Sequence, residues 1–463
     1  MILAVADPGS FRDPSSRVFH VQGRVLRGVK GDAVADWARL EDSGLLSRLV
    51  ERGAVVATWE IPAHELPPSD AGPWTVVLEH KRVPFVSYPY EWSFRMLQDA
   101  AALHLEILIE ALAGGMTLKD GSAFNVQWAG GSPVFVDVVS FERSTGQPWA
   151  GYRQFCQTFL YPLLLQAHRG IPFQPFLRGH VDGLTAPQMR GLLAPWFGIR
   201  AGVFKHVVLH DAMQARFTGD AQTTARRLQE AGFSDELASA VARSLLKLVL
   251  RLRPSRRRSP WIDYTATCSY GDSELATKAE VVERAFSGVR ARLVFDLGCN
   301  DGTYARIAAA SGAYVVAVDS DEAVIDRLYT SLREEDRPRV LPLVLDLADP
   351  NPGLGWRGQE RRAFFDRGRP DVVLCLALLH HLVIGRSVPL DHVVEWLRSF
   401  DARVVVEFVS PDDPMAERLL ANKAPGIHAD YGLEGFERAL GERFRVQERA
   451  ALGTRTIFTA DPR

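Results

Sequence analysis

The stretch Leu293 to Gly302, LVFDLGCNDG, limits what this chain can fold into more than any other. Four apolar residues around an acid run straight into a glycine turn. Gly298 and Gly302 bracket a tight strand-to-helix turn, and Asn300 between them is the non-glycine type that best tolerates a left-handed backbone. Beyond the turn, apolar runs of strand length alternate with helical patterns: TYARIAAASG, YVVAVDS, EAVIDRLYTSL, VLPLVLDL, DVVLCLALL, LDHVVEWLRSF and RVVVEFV. Several of the strands are apolar on both faces, which predicts a mostly parallel sheet covered on both sides. FRVQERA and TRTIFTA differ. They alternate polar and apolar residues and are joined by a short ALG, so an antiparallel hairpin is expected at the end of the sheet.

The chain has 463 residues, too many for one ordinary core, and roughly 150 residues per domain suggests two domains. RLRPSRRRSPW, Arg251 to Trp261, marks the junction, giving domains 1–255 and 256–463. Its arginines fit a solvated helix end running into a linker. Apolar content of 47%, charged content of 24% and a net charge of −2 describe a soluble globular protein with no electrostatic footprint for nucleic acid or membrane. A small or polar partner is expected. Cys156, Cys268, Cys299 and Cys375 form neither a disulfide framework nor a metal-binding spacing, which fits a reducing cytoplasm. The opening MILAVADPGSFRDP has no basic leader, and no run approaches the roughly 18 apolar residues that span a bilayer, so a cytoplasmic location is expected.

Asp319 ends the strand YVVAVD, 23 residues after Asp296. At that spacing an acid on the second strand accepts hydrogen bonds from ribose hydroxyls. Two acids and a glycine turn on adjacent strand ends predict a nucleoside site. The turn is GxNxG and follows Asp296, whose carboxylate would repel a pyrophosphate but suits a cationic amino-acid group or a sulfonium. Charge therefore favours S-adenosylmethionine over NAD.

On these residues, positions 262 to 463 resemble the class I, Rossmann-like S-adenosylmethionine-dependent methyltransferases. VFDLGCNDG is similar to their first motif, VVAVDSD to their second, and DVVLCLALLHHL to the fourth strand, whose end borders the methyl-transfer site. The resemblance implies an α/β fold with a seven-stranded sheet and an antiparallel last strand. It implies a cofactor held by Asp296, Gly298, Asn300, Gly302 and Asp319, with Asp346 of LVLDLAD beside the adenine amino group. HHLVIGRSVPLDHVVEWL, EFVSPDDPMAERLLANK and SYPYEWSF further resemble a bacterial group of methyltransferase-like proteins that includes nodulation-associated members. The acceptor is left as a small-molecule or carbohydrate-like compound.

S-adenosylmethionine carries its own reactive methyl group, so the protein supplies binding, orientation and, where needed, a base. His380 and His381 follow the fourth strand, and either could deprotonate a nucleophile or simply line the pocket. Glu407 ends RVVVEF at the same sheet edge and is a third catalytic candidate. Asp412 and Asp413 would shape an acceptor pocket or cap a helix.

In the first half, Asp120 and Asn125 lie five apart, and Asp137 follows twelve later across the hairpin NVQWAGGSPVFVDV. Kinase-like phosphotransferases arrange a catalytic Asp, a metal-binding Asn and a second metal-binding Asp in this way. RVFHVQGRVLRGV reads as a further hairpin, WTVVLEHK as a strand, and SFRMLQDAAALHLEILIEALAGG as a long helix; with the acid spacing, about residues 15 to 250 resemble a protein-kinase-like domain, which implies an α+β fold. The departures are LKD in place of His-Arg-Asp, DVV in place of Asp-Phe-Gly, and GRVLRGVKG in place of a convincing glycine loop. ATP and magnesium are the ligands implied if the site works, with Arg27 or Lys30 as the phosphate cation. The alternative makes Asp120, Gly121 and Asn125 turn residues and Asp137 a strand acid. A methyltransferase is expected, against two alternatives: a kinase-like phosphotransferase regulated by S-adenosylmethionine, and a non-catalytic scaffold.

Overall fold

The computed structural model describes residues 4–66, 73–193, 234–255, 271–335, 339–424 and 426–463, with 203, 206 and 207. They fall into two compact units, Met1–Arg257 with Pro352–Arg362, and Arg258–Asn351 with Ala363–Arg463. Cys268 and most of the arginine-rich junction lie outside the described residues. Among the described residues no helix is long and apolar enough to cross a membrane.

The first unit opens with a five-stranded antiparallel sheet in the order β1-β2-β3-β5-β4: Val5–Ala6, Ser16–Val21, Arg24–Val29, Val76–His80 and Thr58–Ile61. The expected first hairpin is β2–β3. Its two-residue loop, Gln22 and Gly23 at φ 50° and 83°, has the doubly left-handed turn that matches strand twist. Between β3 and β4 come α1 (Ala33–Asp42) and α2 (Leu45–Glu51), separated by Gly44 at φ 66°. The long helix α3 (Phe94–Ala113) is capped by Ser93, whose Oγ accepts from the Met96 N–H at 3.4 Å. It is buried around most of its circumference because helix α8 (Asp235–Arg251) packs along it; Gln98 Nε2 donates to the carbonyls of Val249 and Leu252 at 2.7 and 3.0 Å, satisfying that helix's end. Two short pairs follow α3, β6–β9 (Met116–Leu118 with Phe141–Arg143) and the expected hairpin β7–β8 (Val126–Ala129 with Ser132–Phe135). Helices α4 (Tyr152–Phe155), α5 (Tyr161–Arg169), α6 (Gln174–Gly179) and α7 (Ala186–Leu192) complete the described part.

The expected division at residue 255 needs one correction. Residues 352–362 lie within the second domain by sequence yet belong to the first unit. Glu360, almost wholly buried, grips Arg12 through both carboxylate oxygens at 2.7 and 2.9 Å, and the Arg361 guanidinium lies 4.4 Å above the Phe124 ring. The bidentate geometry gives the pair more directionality than a single-contact surface ion pair, although Arg12 itself is largely exposed.

The second unit is built on a seven-stranded sheet in the order β12-β11-β10-β13-β14-β16-β15. These are Val340–Val344, Tyr314–Asp319, Leu293–Leu297, Val372–Cys375, Arg403–Val409, Arg455–Pro462 and Phe444–Leu452. The first five run parallel and β16 runs antiparallel to β14. β10, β11, β13 and β14 are buried almost throughout, as strands covered on both faces must be, whereas the edge strand β15 is largely exposed. Helices α9 (Asp272–Ala285), α10 (Thr303–Ala310), α11 (Glu322–Leu332), α12 (Leu390–Ser399), α13 (Pro414–Leu420) and α14 (Leu433–Arg443) cover it. The strand order reverses beside β10, and in open α/β sheets ligands bind at such a switch point, outside the carboxyl ends of the strands.

A tight backbone crossing in the first unit adjoins Asp120. A Cβ on Gly121 would stand 2.2 Å from the Gly151 carbonyl oxygen and 2.9 Å from the Phe155 nitrogen. Neither can yield, because both are backbone. Gly121→Ala should therefore destabilise the unit by ~3 kcal/mol, measured by chemical denaturation of the intact chain; a change within about 0.5 kcal/mol, the ordinary surface range, would contradict this packing.

Candidate cofactor and acceptor site

At the carboxyl end of β10 the chain takes three left-handed residues in five: Gly298, Asn300 and Gly302, at φ 80°, 45° and 76°. The turn is tied to the next strand. The N–H groups of Gly298 and Cys299 both donate to the Val318 carbonyl, at 2.9 and 3.0 Å. Asp319 follows, and its carboxylate accepts the Asn300 N–H at 3.2 Å and the Asp321 N–H at 2.9 Å. Gly302 has no substitute, since a Cβ there would stand 2.6 Å from Leu328 Cδ1 at an unfavourable φ.

A cavity of about 290 Å³ opens beside this turn, near the lower end of the range for small-molecule sites. Gly298, Asn300, Asp319, Asp346, Ala377, Leu378, His381 and Arg386 are among its lining residues. Asp346 forms an ion pair with Arg386 at the rim and accepts the Ala348 N–H at 3.0 Å. Asp296 lies behind the turn, 2% exposed, and among the described residues its Oδ2 has no hydrogen-bond partner. Burial pushes its pKa up to about 7, against the pull of Lys278. Burial also raises that of Asp319, against the hydrogen bonds from Asp321 and Asn300.

The three catalytic candidates separate. His381 reaches the cavity, but burial, then the charge of Arg455, pulls its pKa down to about 4, so it is a weaker base than its sequence context suggested. His380 is fully buried, stacked on His381 with ring centroids 4.1 Å apart, and neither of its nitrogens has a hydrogen-bond partner among the described residues. Its pKa is held well below normal, first by burial, then by His381. Glu407 is also fully buried and does not line the cavity. Its carboxylate is occupied by Lys278 at 2.7 Å, the Ala377 N–H at 2.9 Å and Arg455 at 3.4 Å. Held by these three donors and absent from the cavity lining, it is not positioned to meet an acceptor there. Asp413 caps α13 through the Met415 N–H at 2.9 Å and pairs with Arg455 at 2.8 Å, so it too is a framework residue.

Nodulation protein NoeA of Rhizobium meliloti (strain 1021) is 34% identical over 465 aligned positions, covering 97% of this chain and 95% of that protein. The chain belongs to the NoeA family. No protein-family model matches it. Among solved structures, N-methyltransferase NodS from Bradyrhizobium japonicum WM9 covers 42% of this chain and 98% of its own at 12% identity and a TM-score of 0.30. Magnesium protoporphyrin IX methyltransferase from Synechocystis PCC 6803, with bound S-adenosylmethionine, covers 45% and 87% at 18% identity and a TM-score of 0.29.

Lys278 and Arg455 are the site residues that sequence reasoning missed in this NoeA-family chain. Lys278 carried a usable signal: it falls on the buried stripe of α9 with Val281, Val282 and Ala285, where a solvated lysine would not. In the first unit the structure brings Asp120, Asn125 and Asp137 together and adds Arg27. Asp137 pairs with Arg27 at 2.6 Å and accepts from Asn125 Nδ2 at 3.4 Å, while burial, then the Asp137 charge, raises the Asp120 pKa. Lys30 instead lies over the Trp74 ring, 5.1 Å from its centroid. No group of three or more His, Cys, Asp or Glu side chains suited to a metal occurs among the described residues.

The Asp296 environment sets a pH dependence. The carboxyl titrates near 7 when folded and near 3.9 when unfolded, so between those values the folded chain binds more protons and stability falls as pH rises. Asp296→Asn removes the penalty. Its melting temperature relative to wild type should rise between pH 5 and pH 8; a constant difference would show that the carboxylate is solvated.

Proposed function

We propose that the chain is an S-adenosylmethionine-dependent methyltransferase whose cofactor occupies the cavity beside the β10 turn and whose acceptor is a small-molecule or carbohydrate-like compound. The observation that carries this is Asp319, a largely buried carboxylate at the end of β11 that lines the cavity with the left-handed Gly298–Gly302 turn. Ribose hydroxyls fit its remaining acceptor capacity, the adenine amino group fits Asp346, and a pyrophosphate fits poorly beside these acids. Asp296, buried behind the turn with one oxygen unpartnered among the described residues, also disfavours a pyrophosphate on that side. When bound, S-adenosylmethionine supplies an activated methyl group. The wall of Ala377, Leu378 and His381 would align the acceptor and exclude water. With His381 so weakly basic, orientation and desolvation carry most of the rate, and a proton released by the acceptor passes to His381 or to water. A net charge of −2 supports a small acceptor over a nucleic acid.

Calorimetric titration of the intact chain with S-adenosylmethionine tests this. Asp319→Ala should weaken binding by about 1.5–3 kcal/mol, the usual range for hydrogen bonds to a charged group. No binding by folded wild type, or undiminished binding by folded Asp319→Ala, counts against the proposal.

The Arg27, Asp120, Asn125 and Asp137 cluster favours a second reading, that the first unit is kinase-like. Arg27 already neutralises the aspartate that would hold magnesium, so this unit is expected to serve assembly or acceptor binding rather than phosphoryl transfer. ATP with magnesium should shift the melting temperature of the intact chain little. A shift of several degrees that vanishes in Asp137→Ala would instead establish a nucleotide site.

A further inference from the structure

Beneath the cavity, at the carboxyl edge of the sheet, lies a cluster of buried charges that the cofactor does not account for. Lys278 of α9, Glu407 of β14, Arg455 of β16 and Asp413 before α13 are each 3% exposed or less. Glu407 joins them to the cavity wall. Its Oε2 accepts Lys278 Nζ at 2.7 Å and the Ala377 N–H at 2.9 Å, while Arg455 Nη1 stands 3.4 Å from Oε1 and its Nε binds Asp413 at 2.8 Å.

Ala377 is the unusual partner. It follows β13 in a left-handed conformation, φ 49°, which an alanine adopts only when its surroundings impose it. Two consequences follow from where the chain goes next. Leu378 packs against the glycine turn, its Cδ1 3.5 Å from where a Cβ on Gly298 would stand, so it sets the width of the cavity. The Leu378 carbonyl accepts the His381 N–H at 2.9 Å, which starts the single π-helical turn His381–Gly385. The backbone at Ala377 thus fixes both Leu378 and His381, which line the cavity with Asp319 and Asp346.

We propose that Glu407 is a positioning residue: clamped by Lys278 and Arg455, it holds Ala377 in its left-handed conformation and thereby sets the wall that faces cofactor and acceptor. The functional part rests on the methyltransferase reading; the positioning of Ala377 does not. A carboxylate suits the task because it receives two cations and one amide at once. Glutamine is neutral and offers one good acceptor. Replacing Glu407 alone would remove the 2.7 Å ion pair of the buried Lys278, so the informative variant pairs Glu407→Gln with Lys278→Met, which removes charge and countercharge together and keeps the packing.

The first measurement is amide hydrogen exchange on the intact chain without cofactor. In wild type, exchange at 376–378 should be slow; in the double variant it should be at least tenfold faster there, with β10 unchanged. Equal protection in both proteins overturns the proposal whether or not the chain binds S-adenosylmethionine. Faster exchange throughout the sheet, down to a common lower protection, also overturns it, because that is general destabilisation. The second is the dissociation constant for S-adenosylhomocysteine, expected to rise about tenfold in the double variant and to recover in part when Ala377→Gly is added, since glycine adopts the left-handed backbone freely. A rise without any recovery means that Glu407 acts other than through Ala377. If wild type binds no S-adenosylhomocysteine while exchange responds as expected, the methyltransferase reading fails and the Glu407–Ala377 coupling stands.

Discussion

The second unit depends on one doubly used acceptor, the carbonyl of Val318. By taking the amides of both Gly298 and Cys299 it stops β10 from continuing and folds the chain back over the end of β11. Left-handed residues at Gly298, Asn300 and Gly302 are the geometric consequence, and the strained turn persists because Asp319 then fastens Asn300 from the side. Asp319 is therefore committed twice over. Its hydrogen bonds to Asn300 and Asp321 orient the carboxylate before any ligand arrives, the preorganisation that lets a site bind without an ordering cost.

The wall of Ala377 and Leu378 is held by a different physics. Buried ion pairs add little net stability, because desolvating both partners offsets most of their attraction, while loss of one partner costs several kcal/mol. Such a cluster is poor glue but a good template: Lys278 pairs with Glu407, and Arg455 bridges Glu407 and Asp413. Asp296 lies in the same interior with one oxygen unpartnered among the described residues, and its raised pKa is the energetic trace of that. Stability conceded at a buried acid beside a cavity is a common mark of a functional region.

Much of this was legible in the residues. Strands buried on both faces announce themselves as continuous apolar runs, so β10 to β14 and their alternation with helices could be read directly, as could the final hairpin from its alternating pattern. Asp319 was legible because a strand end and a spacing define it. Short strands such as β4, β6 and β9 were not, since three or four residues carry no period. Nor was the left-handed backbone of Ala377, which tertiary hydrogen bonding imposes on a residue with no preference for it. Glu407 looked catalytic because sequence shows a carboxylate at a strand end but not the three donors that saturate it. The imidazoles looked basic for the same reason: their depression comes from burial, which HHLVIG does not display. The segment 352–362 joins the first unit through Arg12, 348 residues from Glu360, and no local pattern encodes such a partner.

The central claim is that the turn of β10 and the carboxylate of Asp319 form the nucleoside side of a methyltransferase site. A crystal structure of the intact chain grown with saturating S-adenosylhomocysteine tests it most directly. The account predicts density beside Gly298 and Asn300, with both ribose hydroxyls within hydrogen-bonding distance of the Asp319 carboxylate. Density for the ligand at another place in the chain, with Asp319 facing only protein, would contradict it.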